Sequence, residues 1–250
     1  MSKTGRIAVA VAAIALAAAI ALQAIPRLLG AVSELPAASV VATLNEGRVP
    51  PEVKLREAAA VLENAARLDP FSPDLKLNLS LVRLALAETD GITAEERAAL
   101  YSAALADVSE GLKLRPSDAG GWARLAFARI RTGAPLEAVE SALMTSIQMS
   151  PYDPKLMIFR VDVALSFWPR ISEDLRSQTL RQLRGALTWV RNGYLYLPQW
   201  NWLHAVICRH QAQPIVEQAL AADPKGLEAF NAQRNRFFSA KACAEALAAQ

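Results

Sequence analysis

One short turn recurs three times along this chain of 250 residues, and it constrains the fold more than any other feature. Each copy separates two stretches whose apolar residues follow the helical period. The copies span 68–74, 114–118 and 149–153. Pro116 and Pro151 lie 35 residues apart, whereas Pro70 and Pro116 lie 46 apart, as expected for one enlarged unit. The pattern predicts an all-α chain built from stacked helix pairs.

The composition supports this fold class and excludes one class of partner. Apolar residues make up 53% of the chain and only 11 residues are glycine, which disfavours a turn-rich β fold. The net charge is +3, and Lys3 and Arg6 supply most of it. Nucleic-acid binding requires a clustered excess of cations. We therefore expect no nucleic-acid partner.

The N-terminal apolar run predicts a membrane anchor. Residues 7–25 contain one polar residue, Gln23, and would span ~28 Å as a helix, close to the hydrocarbon thickness of a bilayer. Lys3 and Arg6 precede the run, so the positive-inside rule places residues 1–6 in the cytoplasm and the bulk of the chain across the membrane. The alternatives are a cleaved signal peptide, disfavoured by the length of the run and by Pro26, and a buried soluble helix.

A spacer is expected between the anchor and the helical stack. Residues 26–50 contain Pro26, Pro36 and many small residues, and we predict one short helix at 37–45 within them. Such a spacer would lift the stack off the membrane.

Helix starts are marked clearly after residue 51. Ser72, Thr93, Asp153 and Ser172 each precede a run with helical periodicity, as N-capping residues do. These signals predict helices at about 94–114, 135–149, 154–168 and 172–191.

Two segments resemble the tetratricopeptide-repeat superfamily, whose period is 34 residues. Ala58, Leu62 and Ala65, followed by Pro70, resemble the second helix of such a repeat. The segment 122–129 resembles the first helix, with Arg129 where an aromatic residue is usual. The resemblance implies a helical-hairpin solenoid. We assign 51–191 to the repeats and 192–250 to a C-terminal helical cap, because solenoids need an atypical closing end.

The resemblance also implies a role. Membrane-anchored bacterial members of the superfamily assist envelope assembly, and the layout is similar to that of accessory proteins of exopolysaccharide biosynthesis. We expect a scaffold or adaptor in the bacterial inner membrane, crossing it once, that binds envelope or membrane proteins from the periplasm. The alternatives are a chaperone-like accessory of protein translocation or cofactor maturation, and a glycan-binding protein using the aromatic residues of 189–202.

Four residues are candidates for partner binding. In peptide-binding members of the superfamily, polar and basic residues of the first helices hold a partner's carboxylates, and Asn78 and Arg124 fall at such positions. Arg131 follows Arg124 on the same helical face, and Arg160 extends the basic set. Solvated or internally paired charges are the alternative for all four.

The sequence contains no recognisable set of catalytic residues, so we expect neither an enzyme nor a cofactor. His204 and His210 are six residues apart and do not share the i, i+4 face of a zinc site, so we expect no metal.

The C-terminal segment holds two further pairs of candidate residues. Cys208 and Cys243 are the two cysteines and are candidates for a disulfide in an oxidising compartment, with two buried thiols as the alternative. Trp200 and Trp202 are candidates for stacking on a glycan, with core filling as the alternative.

Overall fold

The structure is a computed structural model that describes residues 3–191 and 197–248, with side chains described for 12–188 and 200–248. Every regular element within these ranges is a helix, and no strand occurs among them. The prediction of an all-α fold class is confirmed.

The first helix, α1 (Lys3–Glu34), is longer than the predicted anchor and continues through Pro26 without a break. It is long and apolar enough to cross a membrane, and its apolar window is not buried against the rest of the chain. A 3-10 turn, Leu35–Ala37, then leads into α2 (Ala38–Asn45), which confirms the short helix predicted at 37–45.

The predicted spacer at 26–50 is therefore largely helical, and its buried residues are Gly30, Ala37 and Val40. Gly30 on α1 lies so close to its neighbours that a Cβ there would be 2.8 Å from Cβ of Asp69 and 3.4 Å from Leu75. This face of α1 packs against the helix Glu52–Leu68.

The following helices begin and end close to the predicted turns. Their bounds are α3 (Glu52–Leu68), α4 (Pro73–Ala87), α5 (Ala94–Leu114), α6 (Ala119–Arg131), α7 (Leu136–Met149), α8 (Pro154–Leu165) and α9 (Glu173–Arg191). The predicted caps are confirmed, since Ser72, Thr93, Asp153 and Ser172 each accept a hydrogen bond from a backbone N–H in the first turn of the helix that follows. A 3-10 turn, Trp168–Arg170, separates α8 from α9.

Four more helices complete the described chain: α10 (Leu197–Arg209), α11 (Gln213–Leu220), α12 (Pro224–Phe237) and α13 (Ala240–Ala248). Helices α10 and α11 pack on α8 and α9 and continue the layered arrangement. The part of the chain that departs from this arrangement is thus α12 and α13, which begins later than the cap predicted at 192–250.

The helices form two layers. Helices α2, α4, α6, α8 and α10 contact one another in chain order and form the inner layer, while α7, α9 and α11 form a second contacting series. Glycines allow close approach within the stack, since a Cβ at Gly111 or Gly121 would lie 2.8 or 3.0 Å from the side chain of Leu77. The inner layer positions the candidate site.

Candidate binding groove

The inner layer lines a groove that contains two adjoining cavities of about 560 and 490 Å³. Both cavities are bounded by the same residue from each of the five inner helices. These shared residues are Leu44, Leu81, Arg124, Phe159 and Trp202. The cavities therefore meet at a mixed wall in which one arginine is set among apolar side chains.

A contact between the two ends of the inner layer bridges this groove. Trp202 on α10 lies against Gly47, just after α2, where an added Cβ would be 2.6 Å from ring atoms of the tryptophan. Gly47 also has a φ of +77°, a conformation that glycine adopts readily. The bridge therefore depends on glycine for both space and backbone conformation.

Replacing Gly47 with alanine should break this bridge, and the chain contains a matched control. Gly91 has a φ of +84° and nothing within 4 Å of the added Cβ, so Gly91→Ala carries only the backbone strain, about 1–2 kcal/mol. We expect Gly47→Ala to lower the free energy of unfolding further, by about 1–3 kcal/mol, because the Cβ overpacks Trp202. Urea unfolding measures both variants, and equal losses would contradict the bridge.

Arg124 is the most unusual charge in the groove. Its side chain is 13% exposed, and its Nη2 lies 3.5 Å from Oδ1 of Asp118. The buried Nε has no hydrogen-bond partner. Burial lowers the pKa of Arg124, and Asp118 opposes that shift. Since arginine stays charged at neutral pH, this donor favours a negatively charged ligand.

Asn78 lines the cavity of about 490 Å³ together with Arg124. Lys155 on α8 joins them there, although sequence analysis did not single it out. Asp118 and Asp153 lie in the same cavity, so its charged side chains are balanced.

Arg131 also lines the groove, but it is already paired. Its Nη2 lies 2.7 Å from a carboxylate oxygen of Glu88, and its guanidinium lies 4.9 Å from the centroid of Phe127. The hydroxyl of Tyr101 donates to Glu88 as well, and burial with this hydrogen bond raises the pKa of Tyr101 to about 12. Glu88, Phe127 and Arg131 of this group line the larger cavity.

A second charged group lines the larger cavity. Asp162 lies 2.9 Å from Arg209 and 2.6 Å from Nε2 of His210. With Arg48 also in the lining, basic side chains outnumber acidic ones in this cavity. Each of these arginines also lies beside a carboxylate, Arg48 beside Glu46, Arg124 beside Asp118, Arg131 beside Glu88 and Arg209 beside Asp162, so the excess of basic lining residues is largely neutralised.

Arg160 does not line the groove, which corrects the prediction made for it. Its side chain is 2% exposed and points into the layer between α7, α8 and α9. Four hydrogen bonds to Ser146, Ser150 and Gln182 hold it there. Burial lowers the pKa of Arg160 to about 10, which still leaves it charged at neutral pH.

The two tryptophans that are candidates for stacking on a glycan lie in different places. Trp202 lines the groove, whereas Trp200 lines a separate apolar cavity of about 310 Å³ beside α12 and stacks on His204 at 5.7 Å. Residues 192–196, with their two tyrosines, lie outside the described residues. The structure therefore does not bring Trp200 and Trp202 together on one surface.

The two cysteines are joined by a disulfide that ties α13 to α10, with their Cα atoms 5.3 Å apart. His204 lies near both sulfur atoms, but its Nε2 is 2.5 Å from the carbonyl oxygen of Phe237. Bonded cysteines offer no thiolate to a metal ion.

A regular spacing relates three groove residues, of which sequence analysis missed one, Phe159. Asn78, Arg124 and Phe159 each lie eight residues after the turn proline that precedes their helix, at Pro70, Pro116 and Pro151. All three line the cavity that also holds Lys155. Alignment of the three turn copies could therefore have predicted that Phe159 lies in the groove. Gly47 and Trp202 have no such signal.

Comparison with known proteins finds no match for this chain among protein-family models or among curated proteins.

Proposed function

We propose that this chain is a membrane-anchored solenoid of the tetratricopeptide type that binds an acidic segment of a partner protein in the bridged groove. The observation that carries the proposal is Arg124, a buried guanidinium with an unpartnered Nε in the wall shared by both cavities. A carboxylate is the natural partner for such a group, because charge-assisted hydrogen bonds to arginine are among the strongest in proteins.

The rest of the groove suits a polypeptide segment. Leu81 and Phe159 supply apolar wall beside Arg124, and Asn78 supplies an amide that can pair with a peptide backbone. A segment that alternates acidic and apolar residues matches this mixture of surfaces.

The setting we propose is the bacterial inner membrane, crossed once by α1, with the stack in the periplasm. Lys3 and Arg6 before the apolar run support this orientation, and a disulfide suits an oxidising compartment. The proposed role is that of a scaffold or adaptor in surface-polysaccharide assembly or export, a choice supported by the layout of anchor and helical stack.

Photo-crosslinking from the groove in living cells tests this function. A photoreactive residue at Leu81 should capture a partner whose crosslinked peptide contains Asp or Glu, whereas one at the exposed Phe71 should not. Arg124→Gln should lower capture about ten-fold, since a charge-assisted hydrogen bond contributes about 1.5–3 kcal/mol. Arg181→Gln, an exposed change on α9, should leave capture unchanged.

Capture that ignores Arg124→Gln, or that is equal at Leu81 and Phe71, would refute the proposal. The identity of the captured protein separates the settings. Translocon subunits or cofactor-maturation factors would exclude the polysaccharide setting in favour of a chaperone-like accessory. An adduct on glycan in place of protein would exclude the adaptor function.

A further inference from the structure

One face of α1 remains apolar and exposed beyond the length needed to cross a bilayer. Ile25, Leu28, Val32 and Leu35 are 54%, 63%, 55% and 65% exposed. The opposite face of the same segment, marked by the buried Gly30, packs on the stack. The free face thus points away from the domain that α1 carries.

The spacing of these four residues is that of a coiled-coil seam. They follow one another at intervals of three, four and three residues, which are the a and d positions of a heptad. The same register continues backwards through Ala21, Ala18 and Ile14 in the apolar run. Small residues there allow helices to approach closely inside a membrane.

The residue types at positions 25–35 of this seam favour a coiled coil of two helices. Ile25 and Val32 occupy a positions, and Leu28 and Leu35 occupy d positions. β-Branched residues at a with leucine at d favour a parallel pair of helices.

The flanking positions fit the same arrangement. Leu29 and Ala31 stand at the e and g positions, so no like charges would meet across the seam. Arg27 and Gly30 fall at the c and f positions, which lie on the outside of a coiled coil. Gly30 is where each helix contacts its own domain, so pairing of the seams leaves that contact intact.

We propose that the segment from Ile14 on α1 to Leu35, the first residue of the 3-10 turn that follows α1, forms a parallel two-stranded coiled coil with a second copy of this chain. A second copy is the occupant that the pattern favours, because a shared membrane orientation makes the two helices parallel and an identical sequence places each a and d residue opposite its own counterpart. The inference shares with the proposed function only the retention of α1 as an anchor. It does not depend on what the groove binds.

Cysteine scanning of the full chain in native membranes tests this pairing. Single cysteines at 25, 28, 32 and 35 should form covalent homodimers on mild oxidation several-fold more than Arg27→Cys or Ser33→Cys, which lie off the seam. The native cysteines are already paired and can stay in place. Uniform crosslinking along 25–35, or adducts with a protein of different mass at the seam positions, would overturn the proposal.

A charged substitution in the seam tests the pairing independently of crosslinking, and its helix content shows whether it folds. Val32→Asp should convert the detergent-solubilised dimer to a monomer by light scattering, with unchanged helix content by circular dichroism, whereas Arg27→Asp should remain a dimer. A wild-type chain that is monomeric would overturn the pairing. Groove crosslinking from Leu81 is measured in the same membranes, so failure of the dimer and failure of the binding function give different results.

Discussion

Replacing Arg160 with alanine should lower the free energy of unfolding by about 4 kcal/mol, since each buried acceptor left without a donor is destabilising by about 1–3 kcal/mol. Its guanidinium donates to the hydroxyl and the carbonyl of Ser146 at 2.9 and 2.7 Å, to the carbonyl of Ser150 at 2.9 Å and to Gln182 at 3.1 Å. Alanine would remove all four donors and leave a cavity between α7, α8 and α9.

Chemical denaturation measures this loss, and the chain offers a control. Arg181 on α9 is exposed and hydrogen-bonds to Ser177 and Gln178 of its own helix, so Arg181→Ala should change stability by less than about 0.5 kcal/mol. Arg160→Met should fall between the two, because methionine restores volume but no donors. Similar stabilities of Arg160→Ala and Arg181→Ala would show that Arg160 is not buried as described.

Removing the disulfide should destabilise the C-terminal helices by about 3–4 kcal/mol in the loop-entropy model, given the sequence separation of 35. Cys208 is 6% exposed on α10, whereas α13 has no buried residue. The covalent link therefore supplements the contacts that α13 makes with α10 and α12, none of which fully buries a residue of α13. In the double variant Cys208→Ala, Cys243→Ala we expect faster amide exchange across 240–248 and a lower Tm.

A reducing agent provides the control for this prediction. It should lower the Tm of the wild-type chain to that of the double variant and leave the double variant unchanged. Two free thiols in the untreated protein, or equal stability of the two chains without reductant, would contradict a structural disulfide.

Local sequence signals predicted the helix starts well, because the hydrogen bonds that cap a helix join residues only a few positions apart. The caps at Ser72, Thr93 and Asp153 hydrogen-bond to backbone groups two or three residues away, so each could be recognised from a short window. Asn78 and Arg124 could be placed in the groove for a related reason, since position within a repeat determines which helical face a residue occupies.

The contacts that were missed join residues that are far apart in the chain or depend on a neighbouring helix. Trp202 meets Gly47 only after the five inner helices have curved round, and no short pattern encodes that curvature. Arg160 resembles any helical arginine until Gln182 of α9 covers it. The predicted anchor ended at residue 25, whereas α1 continues through Pro26 to Glu34.

The continuity of α1 determines the height above the membrane at which the groove can bind a ligand. With 7–25 in the bilayer, as proposed, the helix continues for ~14 Å to Glu34 and then enters the stack through one 3-10 turn. A continuous helix restricts the position of the groove, whereas a flexible linker would let the groove reach a large volume. The groove would instead be held at one height and tilt above the membrane surface, so that two-dimensional diffusion of the whole molecule would bring it to partners presented at that level.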